Sequence, residues 1–144
     1  MKFIHLTDTP FTKFKKPRYL GKDFKPHGVL WLAKGNAWRD FVKENEWEER
    51  IYEQEFEIDM SKIIELKTYK DIKDFNDIYG IKFPESDRTP EFNIIDWNKV
   101  RKDGKSGIYI KDANIKKARN DFLWYSSFDV ECVAIWDSDC IIKM

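Results

Sequence analysis

In the stretch Phe128-Asp-Val-Glu-Cys-Val-Ala-Ile-Trp-Asp137, Glu131 is the only charged residue between Asp129 and Asp137. As a β-strand, this segment would send Val130, Cys132, Ala134 and Trp136 to one face. Glu131, Val133 and Ile135 would take the other. Both faces are apolar, as in a strand from the middle of a sheet. A carboxylate at such a place is costly unless it is hydrogen-bonded, paired or open to a cleft. Glu131 is therefore a functional candidate. Asp129, at the strand entrance, competes for the role.

Two further segments carry candidate ligand-binding groups. Phe3-Ile-His-Leu-Thr7 reads as a strand that presents His5 and Thr7 on one face. Gly28-Val-Leu-Trp-Leu-Ala33 reads as a second strand, with Trp31 inside it and Trp38 shortly after. Large aromatic rings of this kind can wall a pocket for a planar group. Familiar catalytic motifs are missing: no Gly-x-Gly-x-x-Gly, P-loop, His-Glu-x-x-His or Gly-x-Ser-x-Gly occurs. His5 and His27 are the only histidines, and no spacing marks a metal site, so none is expected. Ser126 and Ser127 have no histidine nearby in sequence for a triad.

The order and character of the three segments resemble the ADP-ribosyltransferase superfamily of the diphtheria-toxin and poly(ADP-ribose) polymerase type. In that family an early strand carries a His followed by a small hydroxyl residue or Gly. A second strand reads Gly-hydrophobic-aromatic-hydrophobic-Ala/Ser, followed by an aromatic residue, usually Tyr. A late strand carries the catalytic Glu. The resemblance covers about fifty residues in three patches and implies an α+β fold. Two small, mainly antiparallel sheets would frame an NAD cleft, with short helices around them. It implies that His5 and Thr7 bind NAD and that Gly28 approaches the nicotinamide amide. Trp31 and Trp38 would lie beside the nicotinamide, with Trp38 at the family's Tyr position but without a hydroxyl. Glu131 would contact the nicotinamide ribose. The implied activity is transfer of ADP-ribose from NAD, as substrate, to a protein or nucleic-acid acceptor. An NAD glycohydrolase would use the same pocket. A non-enzymatic nucleic-acid-binding module is the third reading.

The elements that must position these residues follow from periodicity. Alternation predicts strands over 2–6, 28–33, 51–58, 63–66, 107–110 and 139–143, besides the Glu131 strand. Thr68, with Asp71 three residues on, predicts a capped helix carrying Tyr69, Ile72, Phe75, Ile78 and Tyr79, with Gly80 closing it. Asn36 predicts a helix to about residue 45, and Asn114 a short helix with Ile115, Ala118 and Phe122. Residues 96–101 suggest one or two helical turns, and 82–93 a linker. Strands at both ends and in the middle, without regular βα alternation, predict α+β.

At 144 residues the chain is expected to be one domain, 1–144. It contains six Trp and eleven Phe, enough for both a core and a pocket. The net charge of zero hides a split. Lys13, Lys15, Lys16, Arg18, Lys22 and Lys25 face only Asp23 in the loop 11–27, while residues 44–59 are acidic but for Arg50. Phe11, Phe14, Tyr19 and Phe24 interleave with these cations, a pattern suited to single-stranded nucleic acid or to NAD phosphates. Cys132 and Cys140 make no disulfide framework. With no signal-peptide core and no membrane-length apolar run, the expectation is a soluble cytoplasmic protein without a membrane partner.

Overall fold

The structure, a computed structural model, describes residues 1–7, 11–34, 52–82 and 93–143. The helix expected from Asn36, Trp38 within it, and most of the expected linker lie outside the described residues. Ten strands form two sheets among the described residues: β1 (Lys2–Thr7), β2 (Lys22–Asp23), β3 (Leu30–Ala33), β4 (Tyr52–Ile58), β5 (Ile63–Leu66), β6 (Gly80–Lys82), β7 (Asn93–Asp96), β8 (Gly107–Ile110), β9 (Cys132–Ile135) and β10 (Ile141–Lys143). The α-helices among the described residues are α1 (Tyr69–Tyr79), α2 (Trp97–Lys102), α3 (Lys116–Asp121) and α4 (Leu123–Ser126). The fold is α+β. The sheets are unequal where two small ones are expected: the larger has seven strands in the order β10-β4-β1-β3-β9-β8-β5, the smaller three in the order β2-β7-β6.

In the larger sheet β5 and β8 pair in parallel and the other neighbours are antiparallel. The sheet curls. Ile63 of edge strand β5 and Ile58 of β4, beside the opposite edge, enter one buried cluster with Phe3, Leu32, Tyr109, Val133 and Ile135. The main-chain N–H of Asp59 donates to the Cys140 carbonyl at 2.8 Å, tying the connection into β5 to the approach to β10. Packing of these inward-facing side chains supplies the stabilisation that closes the curl. The outer face packs on the helices and the smaller sheet through Ile72, Phe75, Trp97, Trp124 and Trp136.

The alternation around Glu131 holds in space. Cys132, Ala134 and Trp136 join the outer cluster, and Val133 and Ile135 the inner one. Several boundaries differ from the expectation. β9 starts at Cys132, so Glu131 immediately precedes the strand, and β3 starts at Leu30, so Gly28 lies in the approach to it. β10 starts only at Ile141, because Ser138–Cys140 form a 3-10 turn capped by the Asp137 carboxylate. Asn114 also differs. Its N–H donates to the Asp112 carboxylate at 2.8 Å, a local turn that delays the helix to Lys116.

Helix α1 forms as expected. The Thr68 hydroxyl accepts from the Asp71 N–H at 3.2 Å, and the Asp71 carboxylate accepts from the Thr68 N–H at 3.1 Å. Gly80 ends the helix in an extended conformation, φ −71°, and the chain passes straight into β6. Thr68→Ala is expected to cost about 1 kcal/mol. The melting temperature should fall by about 3 °C; an unchanged value would mean that the box contributes nothing.

Where α1 meets α2, the Tyr79 hydroxyl donates to the Asp103 carboxylate at 2.7 Å. Burial, and next this bond, push the Tyr79 phenol up to about 12 from 10.0. A phenol that stays neutral in the folded chain while ionising in the unfolded one makes the fold less stable as pH rises between those values. The melting temperature is thus expected to fall from pH 10 to pH 12, and to fall less in Tyr79→Phe. Equal slopes in the two proteins would refute the assignment. No helix among the described residues is long and apolar enough to cross a membrane.

Candidate functional site

The three candidate segments converge in the larger sheet. β1, β3 and β9 are consecutive neighbours, although they are distant in sequence. Ile4 lies opposite Ala33, and Leu32 opposite Val133. Antiparallel pairing then puts His5 beside Leu32, in one row with Val133. Glu131 stands two residues off that row. Strand spacing puts the Cα atoms of His5 and Glu131 roughly 12 Å apart.

Both side chains belong to the inner face. The His5 ring makes edge contacts with Phe11 at 5.7 Å and Phe56 at 6.5 Å. Its Nδ1 lies 2.9 Å from the Trp31 carbonyl. A carbonyl only accepts, so Nδ1 carries the proton, and in the neutral ring Nε2 is left as an acceptor. Such an atom suits a ligand hydroxyl.

Glu131 is half-buried and accepts a hydrogen bond from the Tyr109 hydroxyl. Tyr109 itself is buried. Burial holds its phenol well above the ordinary tyrosine value, reinforced by the bond to Glu131 and by the negative charges of Glu131 and Glu65. Tyr109 thus stays a donor, and it fixes the carboxylate from one side. The backbone leading to Glu131 is pinned as well. The Arg119 guanidinium donates to the carbonyls of Ala113 at 2.8 Å, Phe128 at 3.0 Å and Ser126 at 3.2 Å. Asp129 is exposed.

The remaining candidates are placed differently. Trp31 points to the outer face, 6.0 Å from the Phe128 ring, with Lys25 Nζ 5.9 Å above it. Only its carbonyl touches His5. Thr7 ends β1. Trp38 lies outside the described residues. Gly28 has φ +70°, a left-handed conformation that favours glycine, and a Cβ there would stand 3.2 Å from the Pro17 Cβ. Gly28 and His5 line one open pocket of about 170 Å³ with Phe11, Lys13, Phe14 and Lys15. Glu131 does not line it. Among the described residues, no group of three or more His, Cys, Asp or Glu side chains is arranged to hold a metal ion.

Tyr109 and Arg119 did not stand out in the sequence. Alternation in Gly107-Ile-Tyr-Ile110 puts Tyr109 opposite Ile108 and Ile110, but nothing local says that β8 lies beside β9. No family model, curated protein or solved structure matches this chain.

Proposed function

We propose that the chain is an ADP-ribosyltransferase that cleaves NAD at its nicotinamide and passes ADP-ribose to a macromolecular acceptor. The observation that carries this reading is the juxtaposition of three sequence-distant segments on β1, β3 and the entrance of β9, with the His5 imidazole and the Glu131 carboxylate on one sheet face. Leaving of nicotinamide develops oxocarbenium character at the ribose carbon. A carboxylate fixed by Tyr109 opposes that charge without reorganising. His5 Nε2 offers a ribose hydroxyl its acceptor. The ADP-ribosyltransferase-like fold belongs to this proposal, beyond the α+β architecture itself.

Arg18 and Lys22 are exposed and have no carboxylate partner among the described residues, and Tyr19 is 59% exposed beside them. These features favour nucleic acid over protein as acceptor. The test is incubation with NAD labelled in its adenosine part, with nucleic acids and proteins supplied as acceptors. Nicotinamide release with label on a macromolecule is expected. Release with free ADP-ribose alone would indicate a glycohydrolase. No release with any acceptor would overturn the enzyme reading. Salt-sensitive nucleic-acid binding without release would then favour the binding module.

A further inference from the structure

Tyr19 is the most exposed aromatic residue among those described, at 59%, while its neighbour Leu20 is fully buried. A ring left in water forfeits the burial that would stabilise the fold. On a loose loop that would mean little, but this loop is fixed on both sides of the ring. The Pro17 carbonyl accepts from Arg101 at 2.8 Å, and the Leu20 N–H donates to the Asn98 side chain at 2.9 Å. The carbonyl of Leu20 accepts from the His27 N–H at 2.8 Å, and that of Gly21 from the Trp97 N–H at 3.0 Å. The Asp23 carbonyl accepts from the Trp97 indole at 3.1 Å, and β2 pairs with β7. The outward position of Tyr19 is therefore built in, and a ligand stacking on it orders little backbone.

The surroundings of the ring are cationic and aromatic. Tyr19 meets the His27 ring in a T-shaped contact at 6.5 Å, and the Asp23 carboxylate holds that ring at 2.9 Å. Arg18 and Lys22, on either side in sequence, are exposed, and neither pairs with a carboxylate among the described residues. Lys25 carries the pattern on, with its Nζ 5.9 Å from the Trp31 ring and 5.5 Å from the Phe128 ring. Only Asp129 and Val130 separate Phe128 from Glu131. The loop thus reaches from an exposed ring to the entrance of β9.

This combination narrows the partner. Cations alone would take any polyanion, whereas a fixed, exposed ring between them takes a planar group. The bases of a duplex are stacked on one another and offer no free face. Those of a single strand can be splayed out onto an aromatic side chain while the phosphates meet Arg and Lys.

We propose that the Tyr19 loop binds single-stranded nucleic acid, with a base stacked on Tyr19, phosphates on Arg18 and Lys22, and the strand led past Lys25 towards Glu131. The destination of the strand rests on the transferase reading, whose acceptor class it names. The test is fluorescence anisotropy of the full chain with labelled single-stranded oligonucleotides of DNA and of RNA, and with a DNA duplex of the same sequence. Both single strands are expected to bind at least about 10-fold more tightly than the duplex. Tyr19→Ala should weaken single-strand binding by about 5- to 100-fold, the loss of one stacked base. Tyr19→Phe keeps the ring and should bind like wild type. Tyr52→Ala, at an exposed tyrosine on the acidic strand β4, should also bind like wild type. Arg18→Ala should lower the slope of log affinity against log salt by about 0.7. No binding, equal binding of duplex and single strand, or equal effects of Tyr19→Ala and Tyr52→Ala would overturn the proposal. Binding with the expected losses but no nicotinamide release from NAD would leave the surface standing and remove the transferase reading. Transfer of ADP-ribose that is unchanged in Tyr19→Ala would do the reverse.

Discussion

Glu131→Gln is expected to lower nicotinamide release from NAD by about 100- to 1,000-fold while leaving the fold intact. The magnitude is that of removing one preorganised electrostatic partner of a transition state, about 3–4 kcal/mol. Gln is the informative substitution here. Its carbonyl oxygen can still accept from the buried Tyr109 hydroxyl, so no buried donor is orphaned. The charge opposing the oxocarbenium ion is lost and little else changes. Asp129→Asn supplies the comparison, because Asp129 is the nearest competing acid and is exposed. It is expected to retain activity close to wild type. Steady-state release of nicotinamide, measured beside far-UV circular dichroism, separates the outcomes. Full activity in Glu131→Gln would remove Glu131 from the mechanism. Loss in Asp129→Asn with retention in Glu131→Gln would move the role to Asp129.

What could be read from the sequence was mostly local. Side-chain alternation depends only on the chain's own pleat, so the two faces around Glu131 came out correctly, and so did the grouping of Phe3 with His5. The Thr68–Asp71 box was legible because both partners lie within one helical turn. Neighbour relations were not. That β4 runs beside β1 over six paired residues, or that β5 and β8 are parallel, depends on contacts between distant segments. Tyr109 escaped notice for that reason: its importance comes from β9 lying next to β8. The late start of the Glu131 strand has a local cause. Arg119 holds the carbonyls of Ser126 and Phe128, and the chain enters β9 only after that anchored turn. Trp31 shows the limit of residue type as a guide. An aromatic ring in the right segment faces the outer core, and it is the backbone carbonyl that serves His5.

Gly107→Ala is expected to destabilise the larger sheet strongly. Gly107 opens β8, paired with Ile135 on one side and Ile63 on the other. A Cβ at this position would stand 2.4 Å from the Ala134 carbonyl oxygen, 3.0 Å from the Ile63 Cδ1 and 3.2 Å from the Ile135 Cδ1. The two side-chain methyls can rotate away, but a carbonyl engaged between strands cannot. Either β8 separates from β9 or the ladder bends, at about 3 kcal/mol or more. In a chain of this size that is a drop of roughly 10 °C in melting temperature. Gly104→Ala is the control. Its φ of +100° disfavours a side chain, but no atom lies within 4 Å of the added Cβ, so the expected cost is only about 1–2 kcal/mol. The same displacement has a functional consequence. Tyr109 sits two residues beyond Gly107, and its hydroxyl reaches Glu131 across the β8–β9 pair. Forcing these strands apart loosens the bond that orients the carboxylate, so nicotinamide release by the surviving folded Gly107→Ala protein should also fall. A variant that melts like wild type would show that β8 and β9 are not paired in this register. The placement of Tyr109 against Glu131 would then lose its support.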